Sequence, residues 1–380
     1  MAACASGLCS DDVRGCDHPG ARLQTVAAAT NLVAAAEGGS CGPVALPLLH
    51  VLLQLRSFEA EPPVASGARA AIEHLAVACG SPSAEALVGS HSRALVERVC
   101  IDHESWASGS GNLAVLGSLM HGADAASLAA LLPGLMPVLA GCLDPERDPA
   151  MRLSLLRLLD TLLEDPGRRP AFLGEMGALV LVRLLVPCCI WKVGKVAAAV
   201  RFSACVAMVT LVRQALVPPE ALAKLMFTPE ALALLFQLLE EDFYSDTRLA
   251  ACQLAEQLLL QCGGMLDDEQ RRKVYPELLK RLDDSSNAVR VACCGAIQAF
   301  ARTSVPLYDD TNTGYLVAGM LIHMDDMAHE VQEAVCRAIE DIARSKPAVV
   351  TQEVNKVKDK HRVSVYCDRC LDAARKGGQR

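Results

Sequence analysis

Residues 275–304 read YPELLKRLDDSSNAVRVACCGAIQAFARTS, and the segment 42 positions later, 317–346, reads VAGMLIHMDDMAHEVQEAVCRAIEDIARSK. Laid over one another without a gap, Leu279 falls on Leu321, Asp283 and Asp284 on Asp325 and Asp326, and Val289 on Val331. Ala292, Cys294, Ala296 and Ile297 fall on Ala334, Cys336, Ala338 and Ile339. A further step of 42 back from Arg290 reaches Arg248, and the same column holds Asp242, Asp284 and Asp326. Self-similarity at a fixed period of this length marks a repeat architecture, in which each unit contacts its neighbours rather than one central core.

Each unit reads as two helices. Val289, Cys293, Ala296, Ile297 and Phe300 are spaced i, i+4, i+7, i+8 and i+11, one apolar face of a helix that must be buried. Before it, Pro276 suits a helix start, Leu278, Leu279 and Leu282 line a first helix, and Asp283-Asp284-Ser285-Ser286-Asn287 supplies turn and N-cap residues. One hairpin cannot cover its own apolar face, so neighbours stack. The expected fold is all-α, a HEAT/armadillo-like right-handed superhelical solenoid of about seven helix hairpins.

Upstream the period loosens: Arg201 precedes Arg248 by 47 positions, Arg152 precedes Arg201 by 49, and Arg69 lies 83 before Arg152. That last gap is close to two periods, so the poorly patterned 106–132 region hides a degenerate unit. Ala21 to Ala36 reads as a second helix, with Arg22 lying 47 before Arg69 and no first helix preceding it. The array is therefore drawn over 21–370, clearest at 230–262, 275–304 and 315–345. Residues 1–20 are expected to be an atypical, disordered start, and 371–380 a frayed basic tail.

Composition agrees with helices. Hydrophobic residues make up 52% and aromatics 4%, so the core is built from Leu, Ala and Val. The net charge of −8, from 36 basic against 44 acidic residues, leaves no basic stripe to neutralise a phosphate backbone, which argues against nucleic acid as a partner. The most apolar stretch, Ala178 to Trp191, is interrupted by Arg183 and Pro187 and is shorter than the ~20 residues a membrane span needs, which argues against a membrane. The opening MAACASGLCSDDVRGCDHPG lacks a basic segment followed by an apolar run, so no export is expected. The 17 cysteines then read as reduced thiols and the chain as cytoplasmic.

No Gly-rich phosphate loop after a strand, no HExxH and no GxSxG is present, so no catalytic residue, cofactor or metal is expected and the chain reads as a non-enzyme. Cys367 and Cys370, with His361 before them, form half of a zinc pattern; a tetrahedral site needs four ligands, and buried thiols of a terminal helix are the stronger reading. Cys205, Cys252, Cys294 and Cys336 each follow the repeat Arg, or Gln332 in its place, by four residues, which makes them packing residues.

Asp242, Asp284 and Asp326 recur once per unit and read as scaffold. Each is expected to cap the following helix and to pair with the Arg six residues on, Arg248 or Arg290, in an exposed ladder worth under about 1 kcal/mol per pair. An acidic ridge for partners is the alternative. Large side chains near loops, Trp106, Trp191 and Phe243-Tyr244, read first as core and otherwise as partner contacts, with Trp191, which has Lys192 and Lys195 beside it, the best single contact candidate. The basic KVKDKHR at 356–362 stands out in an acidic chain and reads equally as a solvated helix face or as a feature that steers an acidic partner.

Within the HEAT superfamily, YPELLKRLDDSSNAVRVA (275–292) and KHRVSVYC (360–367) resemble the C-terminal part of the dynein axonemal assembly factor family. The resemblance is strong from about 228 to 370, extends back to about 44 and is absent from the first 20 residues. It implies a cytoplasmic, non-catalytic scaffold that assists the assembly of axonemal dynein arms for ciliary and flagellar motility. The implied partners are dynein chains, particularly the intermediate chain, together with chaperones and co-assembly factors. It also implies a longer family protein of which this chain is the C-terminal portion. Another HEAT adaptor, a transport receptor or phosphatase scaffold, is the alternative reading of the same fold; an enzyme using the Cys367/Cys370 tail is the third.

Overall fold

The structure, a computed structural model, describes residues 19–36, 42–58, 60–241 and 243–378, and every regular element among them is helical. Their packing divides into two compact units. One runs to Leu158 and includes Asp165–Ala171; the other comprises Leu159–Glu164 and the chain from Phe172 onward.

The first unit contains α1 (Pro19–Ala36), α2 (Gly42–Arg56), α3 (Pro62–Ala78), α4 (Ala84–Val99), α5 (Gly111–Gly122), α6 (Ala125–Cys142) and the beginning of α7 (Pro149–Glu164). Helix starts follow local chemistry. Pro62 opens α3, Ser83 accepts from the Ala86 N–H at 3.1 Å to cap α4, and Asp124 accepts from the Ser127 N–H at 2.7 Å to cap α6. Helix α2 pairs with α3, and α1 packs along α3. Leu48, Leu49, Leu52 and Leu53 of α2 are wholly buried. The degenerate unit proves to be α4 and α5, joined through the 3-10 stretch Cys100–Ser105, so it begins well before residue 106. Helix α5 has only 12 residues and lies against both α2 and α4.

The second unit is more regular. Helix α8 spans 175–188 and passes from α-helical Glu175–Leu179 into a π-helical stretch, Val180–Leu185. After it come α9 (Lys195–Arg213), α10 (Pro219–Met226), α11 (Pro229–Leu239), α12 (Ser245–Cys262), α13 (Asp268–Lys280) and α14 (Asn287–Thr303). The unit closes with α15 (Asp310–His323), α16 (His329–Ser345), α17 (Pro347–Val357) and α18 (Val365–Gly377). The second helices α9, α12, α14, α16 and α18 pack one on the next in series, and the first helices α13, α15 and α17 do the same. This is a HEAT/armadillo-like helical repeat. Val289, Cys293, Ala296, Ile297 and Phe300 of α14 are all buried, and the Phe300 ring meets Tyr308 edge-on at 6.2 Å.

Three expectations are corrected here. Pro276 does not start a helix but lies inside α13, whose start is fixed eight residues earlier by a capping box. The Asp267 side chain accepts from the Gln270 N–H at 2.7 Å, and the Gln270 side chain accepts from the Asp267 N–H at 2.9 Å. Residues 371–377 are not frayed, because Leu371 and Ala374 bury one face of α18. Finally, α6 and α9 are long and apolar enough to cross a membrane by length and composition, with mean hydropathies of 1.8 and 1.7 over 18 residues. The 178–191 stretch is therefore not the decisive segment. In the fold, 39% and 56% of those two windows are buried against other helices. The expected disordered start falls almost wholly outside the described residues; Pro19 and Gly20 already belong to α1.

Candidate functional site

The repeat arginines do form a ladder, but with a different connection from the one the spacing suggests. Arg248 grips Asp284 with a two-pronged fork, Nε to Oδ2 at 2.6 Å and Nη2 to Oδ1 at 2.8 Å, while its Nη1 donates to the carbonyl of Glu241 at 2.8 Å. Arg290 pairs with Asp326 through one prong, Nη1 to Oδ2, while its Nη2 donates to Asn287 Oδ1. Both arginines thus reach forward to the loop of the next hairpin, and Arg290 does so while the acid six residues behind it, Asp284, is held by Arg248. Stacking brings the following loop under the guanidinium.

Nor are the rungs exposed. The side chains of Arg248 and Asp284 are only 9% and 2% accessible, so this is a buried ion pair with a large penalty for losing one partner. Burial works to raise the Asp284 carboxyl, but the Arg248 guanidinium and the Ser286 N–H outweigh it and hold it below the ordinary carboxylate range. Asp284 and Asp326 accept from the backbone N–H two residues on, Ser286 at 2.9 Å and Ala328 at 2.8 Å, pinning the loop ahead of the helix instead of capping its first turn.

Asp242 lies outside the described residues. Its neighbour Glu241 receives Arg201, with Nη2 at 2.6 Å and Nε at 3.0 Å from Oε2 and both side chains buried. Glu241 escaped the repeat template because it stands one position off the Asp column. In the first unit, Arg22 pairs with Glu61 in the same forward sense. Arg152 donates to the carbonyl of Leu143 at 3.0 Å, and Arg69 is exposed and belongs to no rung.

Of the candidate contacts, Trp191 is 47% exposed, with the Arg201 guanidinium 5.9 Å from its ring centre. The Lys192 carbonyl accepts from Arg201 at 2.6 Å, so the innermost rung also anchors this loop, and Gly194, at φ +108, turns it into α9. Lys192 and Lys195 are exposed, as are Ile190, Val193 and Val196, giving the loop an apolar tip with a basic edge. Ile190 also borders a groove of about 850 Å³ along α8, α10 and α11, lined by Val182, Leu225, Leu234 and Phe236. Phe243 is 84% exposed and Tyr244 half-buried.

Cys205, Cys252, Cys294 and Cys336 are buried in the second-helix stack, and burial pushes the thiols of Cys205 and Cys294 up to about 12. Cys367 and Cys370 are buried on α18, with the Cys370 sulfur 3.8 Å from that of Cys336. The ring nitrogens of His361 face the carbonyls of Val357 and Leu321 at 3.0 and 2.8 Å. Among the described residues, no three His, Cys, Asp or Glu side chains converge on a point that would hold a metal ion.

Over 266 residues the chain is 33% identical to dynein axonemal assembly factor 5 of Homo sapiens, a match covering 68% of this chain and 30% of that protein. The chain is a homologue of the dynein axonemal assembly factor 5 proteins. The protein of that name from Xenopus laevis is 26% identical over 338 residues, 87% of this chain and 40% of the relative. The chain thus spans about a third of the length of the curated relatives it matches. No protein-family model matches it. Among solved structures, an engineered protein aligns over 99% of both chains with a TM-score of 0.51 at 15% identity, a likeness of fold alone.

Proposed function

We propose that the chain is a non-catalytic scaffold that holds proteins during cytoplasmic pre-assembly of axonemal dynein arms. The observation that carries this reading is the identity to dynein axonemal assembly factor 5 across 68% of the chain. A helical repeat offers extended surface without requiring chemistry, and the exposed Trp191 loop beside an apolar groove supplies a place where a partner side chain gains area. The partners are proteins, with axonemal dynein chains, foremost the intermediate chain, and chaperones or co-assembly factors, rather than nucleic acid or membrane. No metal or cofactor takes part, and Cys367 and Cys370 serve as packing groups.

The test is affinity purification of the tagged chain from ciliating cells, with partners identified by mass spectrometry. Recovery of dynein chains with assembly chaperones, weakened by Trp191→Ala, is the expected result. A small GTPase or a phosphatase catalytic subunit in their place would move the chain to another class of HEAT adaptor.

A further inference from the structure

In the second unit the series of first helices is interrupted where one of them is broken in two. Pro219 opens α10 and Pro229 opens α11, Thr228 caps α11 by accepting from the Ala231 N–H at 3.2 Å, and the two pieces meet at 78°. Both pieces pack on the second helix α12. Helix α11 does not lie along α8 as α15 lies along α13 and α17 along α15, and the groove of about 850 Å³ opens there. Val182 and Val186 of α8 and Ile190 just beyond it, spaced i, i+4 and i+8, form one wall; Leu225 of α10 and Leu234 and Phe236 of α11 form the other. Val182 and Ile190 are 40% and 57% exposed, and Trp191 continues the apolar surface past Ile190.

Two properties of the lining decide what fits. The first is its shortage of hydrogen-bonding groups: Thr228 and Gln237 are the only uncharged polar side chains among the lining residues, and every regular element among the described residues is a helix, with no strand edge to extend. An extended segment would find few partners here for its backbone N–H and C=O groups, whereas a helix satisfies its own. The regular part of the unit gives the same answer, because what lies against the first helices α13, α15 and α17 is another helix.

The second property is charge. Lys224 lines the groove, Arg183 follows Val182, and Lys195 begins α9 a few residues past Ile190; all three are exposed and none makes an ion pair with a described residue. Of the two acids in the lining, Glu240 is already met by Lys280 at 3.4 Å, which leaves Glu230. In a chain of net charge −8 this is a local reversal of sign. We infer that the groove seats an amphipathic helix of a partner protein, its apolar stripe laid between α8 and α11 and its flanks carrying Asp or Glu. Helix α11 is 11 residues long, so about three turns of the partner helix match the wall. The inference rests on the reading of the Trp191 face as a protein-contact surface and does not depend on dynein chains being the partner.

The probes are fluorescein-labelled peptides of about fifteen residues with one leucine stripe at helical spacing and glutamate, lysine or glutamine on the remaining faces, together with a glutamate peptide carrying a central proline. Fluorescence anisotropy with the 380-residue chain should show saturable binding of the glutamate peptide, about tenfold weaker binding of the lysine peptide, and the glutamine peptide between them. The proline peptide should bind as weakly as the lysine peptide. Val182→Glu should weaken the glutamate peptide about tenfold, and Lys195→Glu combined with Lys224→Glu should make the lysine peptide the tighter binder. These are exposed positions, so the helical circular dichroism should stay intact. Equal affinity for glutamate and lysine peptides, binding untouched by Val182→Glu and by the charge reversal, or no binding at all would overturn the inference. Equal affinity of the proline peptide would overturn the helix as occupant. A dimer of the chain in sedimentation equilibrium that Val182→Glu dissolves would make a second copy the occupant instead. Peptide binding beside an affinity purification free of dynein chains would support the groove and overturn only the identity of the partners.

Discussion

The second unit and the first use the same hairpin and differ in how successive hairpins are tied. In the second, Arg201, Arg248 and Arg290 each lock onto an acid 36 to 40 residues ahead, and the second helices stack in one series. In the first, Arg22 pairs forward with Glu61, Asn112 stands in a polar network with Asp102, Gln54 and His50, and α5 packs against two first-type helices. Regular sequence spacing therefore coincides with successive charged rungs, and loss of spacing coincides with a mixed polar network.

The sharpest way to break this comparison is to remove a rung. Arg248→Ala leaves Asp284 buried without its counter-charge and is expected to destabilise the second unit by about 3–5 kcal/mol in urea denaturation. Phe300→Ala, which empties a fully buried ring site in the adjoining hairpin, should cost a similar ~3–5 kcal/mol. The doubly substituted Arg248→Met, Asp284→Leu should recover most of the loss of the single arginine change. If it is as unstable as Arg248→Ala, the buried-pair account fails.

Acid should tell the rungs apart as well. Asp284 is held below the ordinary carboxylate range in the fold, so its contribution is present above the unfolded carboxyl's pKa of about 3.9 and is lost as pH falls through the lower folded value. Stability measured from pH 7 down to pH 2 should fall in that lowest range, and Asp284→Asn should flatten that part of the curve. Arg290 lies at a less buried rung, so Arg290→Ala is expected to cost about 1–3 kcal/mol, less than Arg248→Ala. The reverse order would contradict burial as the controlling variable.

The smallest effect belongs to the first unit's surface. Arg93 and Glu97 form an exposed i,i+4 pair, and Arg93→Ala should change stability by less than about 0.5 kcal/mol. A chemical ordering accompanies these energies: of the described cysteines, half-exposed Cys79 should react with maleimide long before Cys205 or Cys294, whose buried thiols resist ionisation. Mass spectrometry of tryptic peptides over a labelling time course reads this directly.

What the sequence made legible is what a period can carry. The 42-residue register placed α14 and α16 and the buried faces of Val289 to Phe300, because each unit repeats the same burial problem. Direction was not legible: an acid six residues before an arginine and one 36 residues after it are equally visible as letters, and only stacking decides between them. Glu241 was missed for standing one position off the column, and Pro276 was misread because the capping box at Asp267 dominates the helix start. The Asn112 network was hidden for a deeper reason. It belongs to no template, and a buried polar cluster drawn from His50, Gln54, Asp102 and Asn112 is assembled from residues up to 62 positions apart.

The forward reach of the arginines gives the chain an arrow in time. A nascent hairpin leaving the ribosome exposes a guanidinium whose acid is 36 to 40 residues from being made. At ~5–20 residues per second that wait lasts about 2 to 8 seconds. During it the newest second helix is held only from behind, by its predecessor. Synthesis then closes rungs one after another in the order they are translated, and no rung needs to open to admit the next. A chain of the same composition with arginines reaching backward would meet each partner already made, and would lack this waiting step at every repeat.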